Sequence, residues 1–70
     1  METILETKRK KLGIKIFELA NAVGIDSSLM SRILSGKREP TTQQLQKLAQ
    51  VLSIDYQLLI KEKMKNKVID

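Results

Sequence analysis

The sequence predicts an all-α fold, a compact bundle of about five short helices within a single domain. Three observations carry this expectation. The three Gly and the lone Pro stand between stretches that otherwise suit helices. Apolar residues recur at i, i+3, i+4, i+7, with no strand-like alternation. Small polar residues that cap helix N-termini, Thr3, Asp26, Thr41 and Asp55, stand ahead of the helical stretches. The first helix opens at Thr3-Ile4-Leu5-Glu6, where the Thr hydroxyl and Glu carboxylate can satisfy orphan amides, and runs to Lys11 before Gly13, with Leu5 and Leu12 as its apolar face. The second spans Ile16 to Val23, its stripe Ile16, Leu19, Ala20 and Val23, and Gly24 closes it. Asp26 caps a third, Ser27 to Leu34, in which Met30 and Ile33 face inward and Ser27, Ser28, Ser31 and Arg32 face out, before Gly36 ends it. The next stretch, Lys37-Arg38-Glu39-Pro40, is a loop, since a residue before proline is pushed out of the α region. Thr41 with Gln44 then caps a fourth helix whose stripe is Leu45, Leu48, Ala49 and Leu52. Asp55 caps a fifth from Tyr56, with Leu58 and Leu59 as core anchors, ahead of a basic extension over residues 61–70.

Composition narrows the chemistry. With no His and no Cys, a chain of 70 residues lacks the usual groups for a zinc finger, a thiol nucleophile, an imidazole base or a disulfide framework. An enzyme is not expected, nor a metal, a cofactor or a small-molecule ligand. The 41% hydrophobic content is that of a folding chain. No apolar run nears the ~20 residues needed to span a bilayer, and the start of the chain lacks the pattern of a signal peptide, so a cytoplasmic protein is expected. Thirteen Lys and Arg against eight Asp and Glu leave a net charge of +5. In so small a fold that surplus favours a polyanionic partner, although solubility alone would also account for it.

The second and third helices, joined by a tight Gly-containing turn, match a helix-turn-helix pattern. Its packing demands small apolar residues on the first of the two, met by Leu19, Ala20 and Val23, so that the second can cross closely and present its N-terminal side chains to a major groove. Outward residues there must be short or able to form hydrogen bonds, and Ser27, Ser28, Ser31 and Arg32 qualify.

The stretches Leu19-Ala20, Val23-Gly24-Ile25, Met30-Ser31-Arg32-Ile33 and Ser35-Gly36-Lys37-Arg38-Glu39-Pro40, continued by Leu45 to Ile54, resemble the phage repressor/Cro-type (XRE-like) helix-turn-helix family over roughly residues 4 to 60. The resemblance implies a lambda-repressor-like domain that binds double-stranded DNA, as a homodimer on a palindromic operator, and acts as a transcriptional regulator. Base readers would then be Ser27, Ser28, Leu29, Ser31 and Arg32. Arg32 stands out because a guanidinium can span guanine O6 and N7, although a phosphate contact is the competing reading. Leu29 would either meet a thymine methyl or pack beside Ile25. Lys37 and Arg38 match positions that touch the sugar-phosphate backbone in relatives. The basic run Lys8-Arg9-Lys10-Lys11 points around all sides of its helix and is expected mostly to solubilise.

Three departures from the family pattern matter. Relatives begin the second helix with a capping Thr and a phosphate-binding Gln, whereas this chain has Lys15 and Ile16; the cap is expected to be lost, with Lys15 replacing the phosphate contact by charge. Phe17 follows at a position commonly polar and, with Ile16 and Leu29, would support an alternative: an antitoxin-like protein-interaction module in which DNA binding is secondary. Many phage relatives also pair an Arg of the first helix with a Glu near the end of the third, but here Arg9 stands at the first position and Leu34 at the second, so Arg9 must find another acceptor or remain in water. Beyond the core, Ile60, Met64 and Val68 recur every four residues, the spacing of a dimer seam, against which stand a frayed Lys-rich end or the packing of Ile60 on its own domain.

Overall fold

The computed structural model describes residues 3–60. Four helices follow in order, α1 (Ile4–Leu12), α2 (Ile16–Val23), α3 (Ser27–Leu34) and α4 (Thr42–Leu52), and a fifth helical stretch, α5, occupies residues 56–60. Among the described residues there is no strand.

Each start has a local cause. Thr3 Oγ1 accepts from the Glu6 amide at 3.1 Å, Asp26 Oδ1 from the Leu29 amide at 2.7 Å, and Asp55 Oδ1 from the Gln57 amide at 3.0 Å. Thr41 and Gln44 satisfy each other's amides reciprocally, at 2.9 and 3.2 Å. At α2 the N-cap is Lys15, whose ammonium has no lone pair to offer. The Thr cap is absent as expected, but Glu18 reaches back to accept from the Lys15 amide at 2.9 Å, which supplies half of a capping box.

The helix ends share one device. The amides of Ile14, Ile25, Lys37 and Ile54 bond back to the carbonyls of Arg9, Ala20, Arg32 and Ala49, at 3.2, 3.0, 2.9 and 2.9 Å. Each bond closes over a left-handed residue, Gly13, Gly24, Gly36 and Ser53. Ser53 holds φ 55° without being glycine. An L-residue with a Cβ is strained there, so Ser53→Gly is expected to raise stability by about 0.5–1 kcal/mol, seen as a higher melting temperature by circular dichroism. An unchanged or lower midpoint would show that the serine carries no strain.

The apolar stripes converge on one core. Leu19, Met30, Leu48 and Leu52 have no exposed surface, and Leu5, Ala20, Val23, Ile33, Leu34, Leu45, Ala49 and Leu59 complete the buried set. α2 lies between α3 and α4, and α1 packs on α4. Ile16 joins the edge of the core. Two expected core positions are not buried. Leu12 is 46% exposed: it is the last residue of α1, and the left-handed Gly13 turns the chain so that Ile14 packs on the core instead. Leu58 is also 46% exposed, because adjacent helical residues point about 100° apart and the inward direction is taken by Leu59. No polar or charged side chain is buried among the described residues, so their polar chemistry lies at the surface.

Candidate nucleic-acid interface

α3 has two faces of opposite character. Met30, Ile33 and Leu34 are buried to 2% exposure or less, which fixes the helix's rotation about its own axis. Ser27, Ser28, Ser31 and Arg32 are consequently exposed. Ser28 and Arg32, one turn apart, lie near the middle of the outward face, opposite the buried triplet. Leu29 sits at the boundary, half-buried and packed against the core, as Ile25 also is.

The end of α3 organises the cations. The Arg32 carbonyl accepts from the Lys37 amide at 2.9 Å, the Arg38 amide at 3.2 Å and Ser35 Oγ at 3.1 Å. The backbone of Lys37 and Arg38 is therefore anchored on the residue whose guanidinium projects from α3, and both side chains are exposed. The repeated helix closure singles out Lys37. In three of the four closures the residue after the left-handed position is an isoleucine packed on the core, namely Ile14, Ile25 and Ile54. After α3 that position holds an exposed lysine, an apolar anchor exchanged for a charge. The dipeptides Gly13-Ile14, Gly24-Ile25 and Ser53-Ile54 against Gly36-Lys37 carry this signal in the sequence, where it can be found only once all four helix ends are aligned.

Lys15 belongs to a different element, the start of α2, and its Nζ lies 5.9 Å from the centroid of the Phe17 ring. That is a cation–π distance, worth ~0.5–1 kcal/mol at an exposed site. Phe17 is 58% exposed. Ile16 and Leu29, grouped with it in the sequence as the mark of a protein-binding face, are instead partly buried against the core. Arg9 finds its acceptors locally: Nε bonds Glu6 Oε1 at 2.5 Å and Nη1 bonds the Ile14 carbonyl at 2.6 Å, while Leu34 is buried. Ile60 is half-buried. Met64 and Val68 lie outside the described residues.

The sequence model of a helix-turn-helix family of the XRE type matches residues 5–59. The chain belongs to this family, a DNA-binding regulatory domain. Comparisons with curated proteins and with solved structures give no significant match. The match takes in α2, the turn at Gly24, α3 and the loop with Lys37 and Arg38. Among the described residues no helix is long and apolar enough to cross a membrane.

Proposed function

We propose that this chain is a sequence-specific transcriptional regulator of the repressor kind, acting in the cytoplasm as a homodimer that sets α3 of each subunit into the major groove of a palindromic operator. The observation that carries the reading is the outward face of α3, short hydroxyls at Ser27, Ser28 and Ser31 with Arg32 one turn beyond Ser28, flanked by two exposed cations hung from the Arg32 carbonyl. In this assignment Arg32 reads a base edge and the serines, with Leu29 at the border, follow the groove floor. Lys37, Arg38 and Lys15 meet phosphates. Two-fold symmetry supplies the spacing of about 34 Å between recognition helices that successive turns of one DNA face require, and we assign the seam to Ile60, Met64 and Val68.

A salt titration tests the DNA reading. Affinity for duplex DNA should fall linearly in log salt, with a slope near 0.9 per phosphate neutralised. Lys37→Ile restores at α3 the closure used by the other three helices. It is expected to leave the melting temperature unchanged or higher and to lower the salt slope by about one. A protein-only module would show no specific duplex affinity at any salt concentration, and a slope unmoved by Lys37→Ile would remove that residue from the interface.

A further inference from the structure

α1 touches both ends of the helix-turn-helix unit through polar contacts to backbone. Near its C-terminal end, Arg9 Nη1 donates to the carbonyl of Ile14, just ahead of α2. At its N-terminal end, Thr3 Oγ1 donates to the carbonyl of Leu34, the last residue of α3, at 2.7 Å across 31 positions of sequence. The same hydroxyl accepts from the Glu6 amide, so it is used in both directions, capping α1 and holding the exit of α3. Thr3 also abuts the turn after α3, since its Cγ2 lies 3.5 Å from where a Cβ on Gly36 would stand. The carbonyl it holds is two residues past Arg32, on which the backbone of Lys37 and Arg38 hangs.

We propose that Thr3 is a positioning residue for DNA recognition: its hydroxyl fixes the exit of α3 and so the direction in which Lys37 and Arg38 leave it. This deepens the DNA-binding assignment and rests on it. Without the bond the loop samples other directions, and apparent affinity falls by the fraction of time the competent one is lost. A hydrogen bond of ordinary net worth makes that factor roughly two- to tenfold.

Three substitutions separate the clasp from the cap. Thr3→Val keeps the shape and loses both bonds. Thr3→Asp keeps the capping acceptor, but a carboxylate cannot donate to Leu34. Thr3→Ser keeps both. Binding to the duplex selected by the full chain is measured at a temperature where melting curves show each variant folded, alongside amide hydrogen exchange of Lys37 and Arg38 without DNA. The expected result is weaker binding and faster exchange for Val, faster exchange for Asp although α1 remains capped, and unchanged behaviour for Ser. Should Val fail to fold, the capped Asp variant decides through exchange alone. Exchange at Lys37 and Arg38 unchanged in both the folded Val and Asp variants, or wild-type affinity in a folded Val variant, overturns the proposal. Absence of specific binding by the unsubstituted chain overturns the DNA reading instead, while the exchange comparison still decides whether Thr3 holds the loop.

Discussion

Arg32→Ala is expected to cost about 1–3 kcal/mol of specific duplex affinity, a loss of roughly five- to 150-fold, while leaving the fold intact. The guanidinium leaves α3 on the side opposite Met30, Ile33 and Leu34 and is exposed, so truncating it opens no cavity. The loss should be selective. Arg32 presents two parallel donors that match guanine O6 and N7, so the Ala variant should lose preference at one base position of each half-site and bind the remaining sequence as before. Arg32→Lys keeps the charge without the fork and should retain phosphate attraction while losing most of that discrimination. Binding of all three proteins to the selected operator and to single-position variants of it measures this. Equal weakening on every sequence would make Arg32 a phosphate contact.

Met30→Ala is expected to have the largest effect on stability. Met30 has no exposed surface and lies between the outward serines of α3 and the core shared with α2. Removing a buried side chain of that size costs about 2–5 kcal/mol, through lost transfer energy and the void left behind. In a domain this small each kcal/mol moves the melting temperature by roughly 4–8 °C, so unfolding should begin well below that of the unsubstituted chain. Met30→Leu, nearly equal in volume, should cost less than about 1.5 kcal/mol. Thermal melts of both variants distinguish a tightly packed anchor from a loosely filled site, for which the Ala variant would melt within a few degrees of the original.

The stripes of α2 and α4 were legible because a seven-residue apolar repeat leaves only one face to bury. Leu19, Ala20, Val23 and then Leu45, Leu48, Ala49 and Leu52 are all buried as their spacing requires. Periodicity misled at helix ends, where it carries no information about where the next segment turns. Leu12 shares the face of Leu5, yet it stands at the last residue of α1, and Ile14 takes the inward place after Gly13. Leu58 and Leu59 are adjacent, and which one faces in is settled by how α5 docks. The exposed face of α3 was readable from its caps and its hydroxyl-rich pattern. The bond from Thr3 to Leu34 was not, since it joins a side chain to a carbonyl 31 residues away and leaves no trace in spacing or composition. The bond from Arg9 to the backbone oxygen of Ile14 was hidden for a similar reason, whereas its pairing with Glu6 follows the i,i+3 spacing of opposite charges on a helix. Of the thirteen Lys and Arg behind the net charge of +5 that first suggested a polyanion, the proposed interface uses Arg32, Lys37, Arg38 and Lys15.

The most direct test is selection of bound duplexes from a random double-stranded DNA pool by the full chain. Two recognition helices related by two-fold symmetry should enrich a palindrome whose half-sites are centred one helical turn apart, about 10–10.5 base pairs, or a multiple of it, with a strongly preferred guanine in each half-site that Arg32→Ala relaxes. No enrichment over the starting pool, or a single asymmetric site bound by one subunit, would contradict the symmetric DNA-reading regulator proposed here.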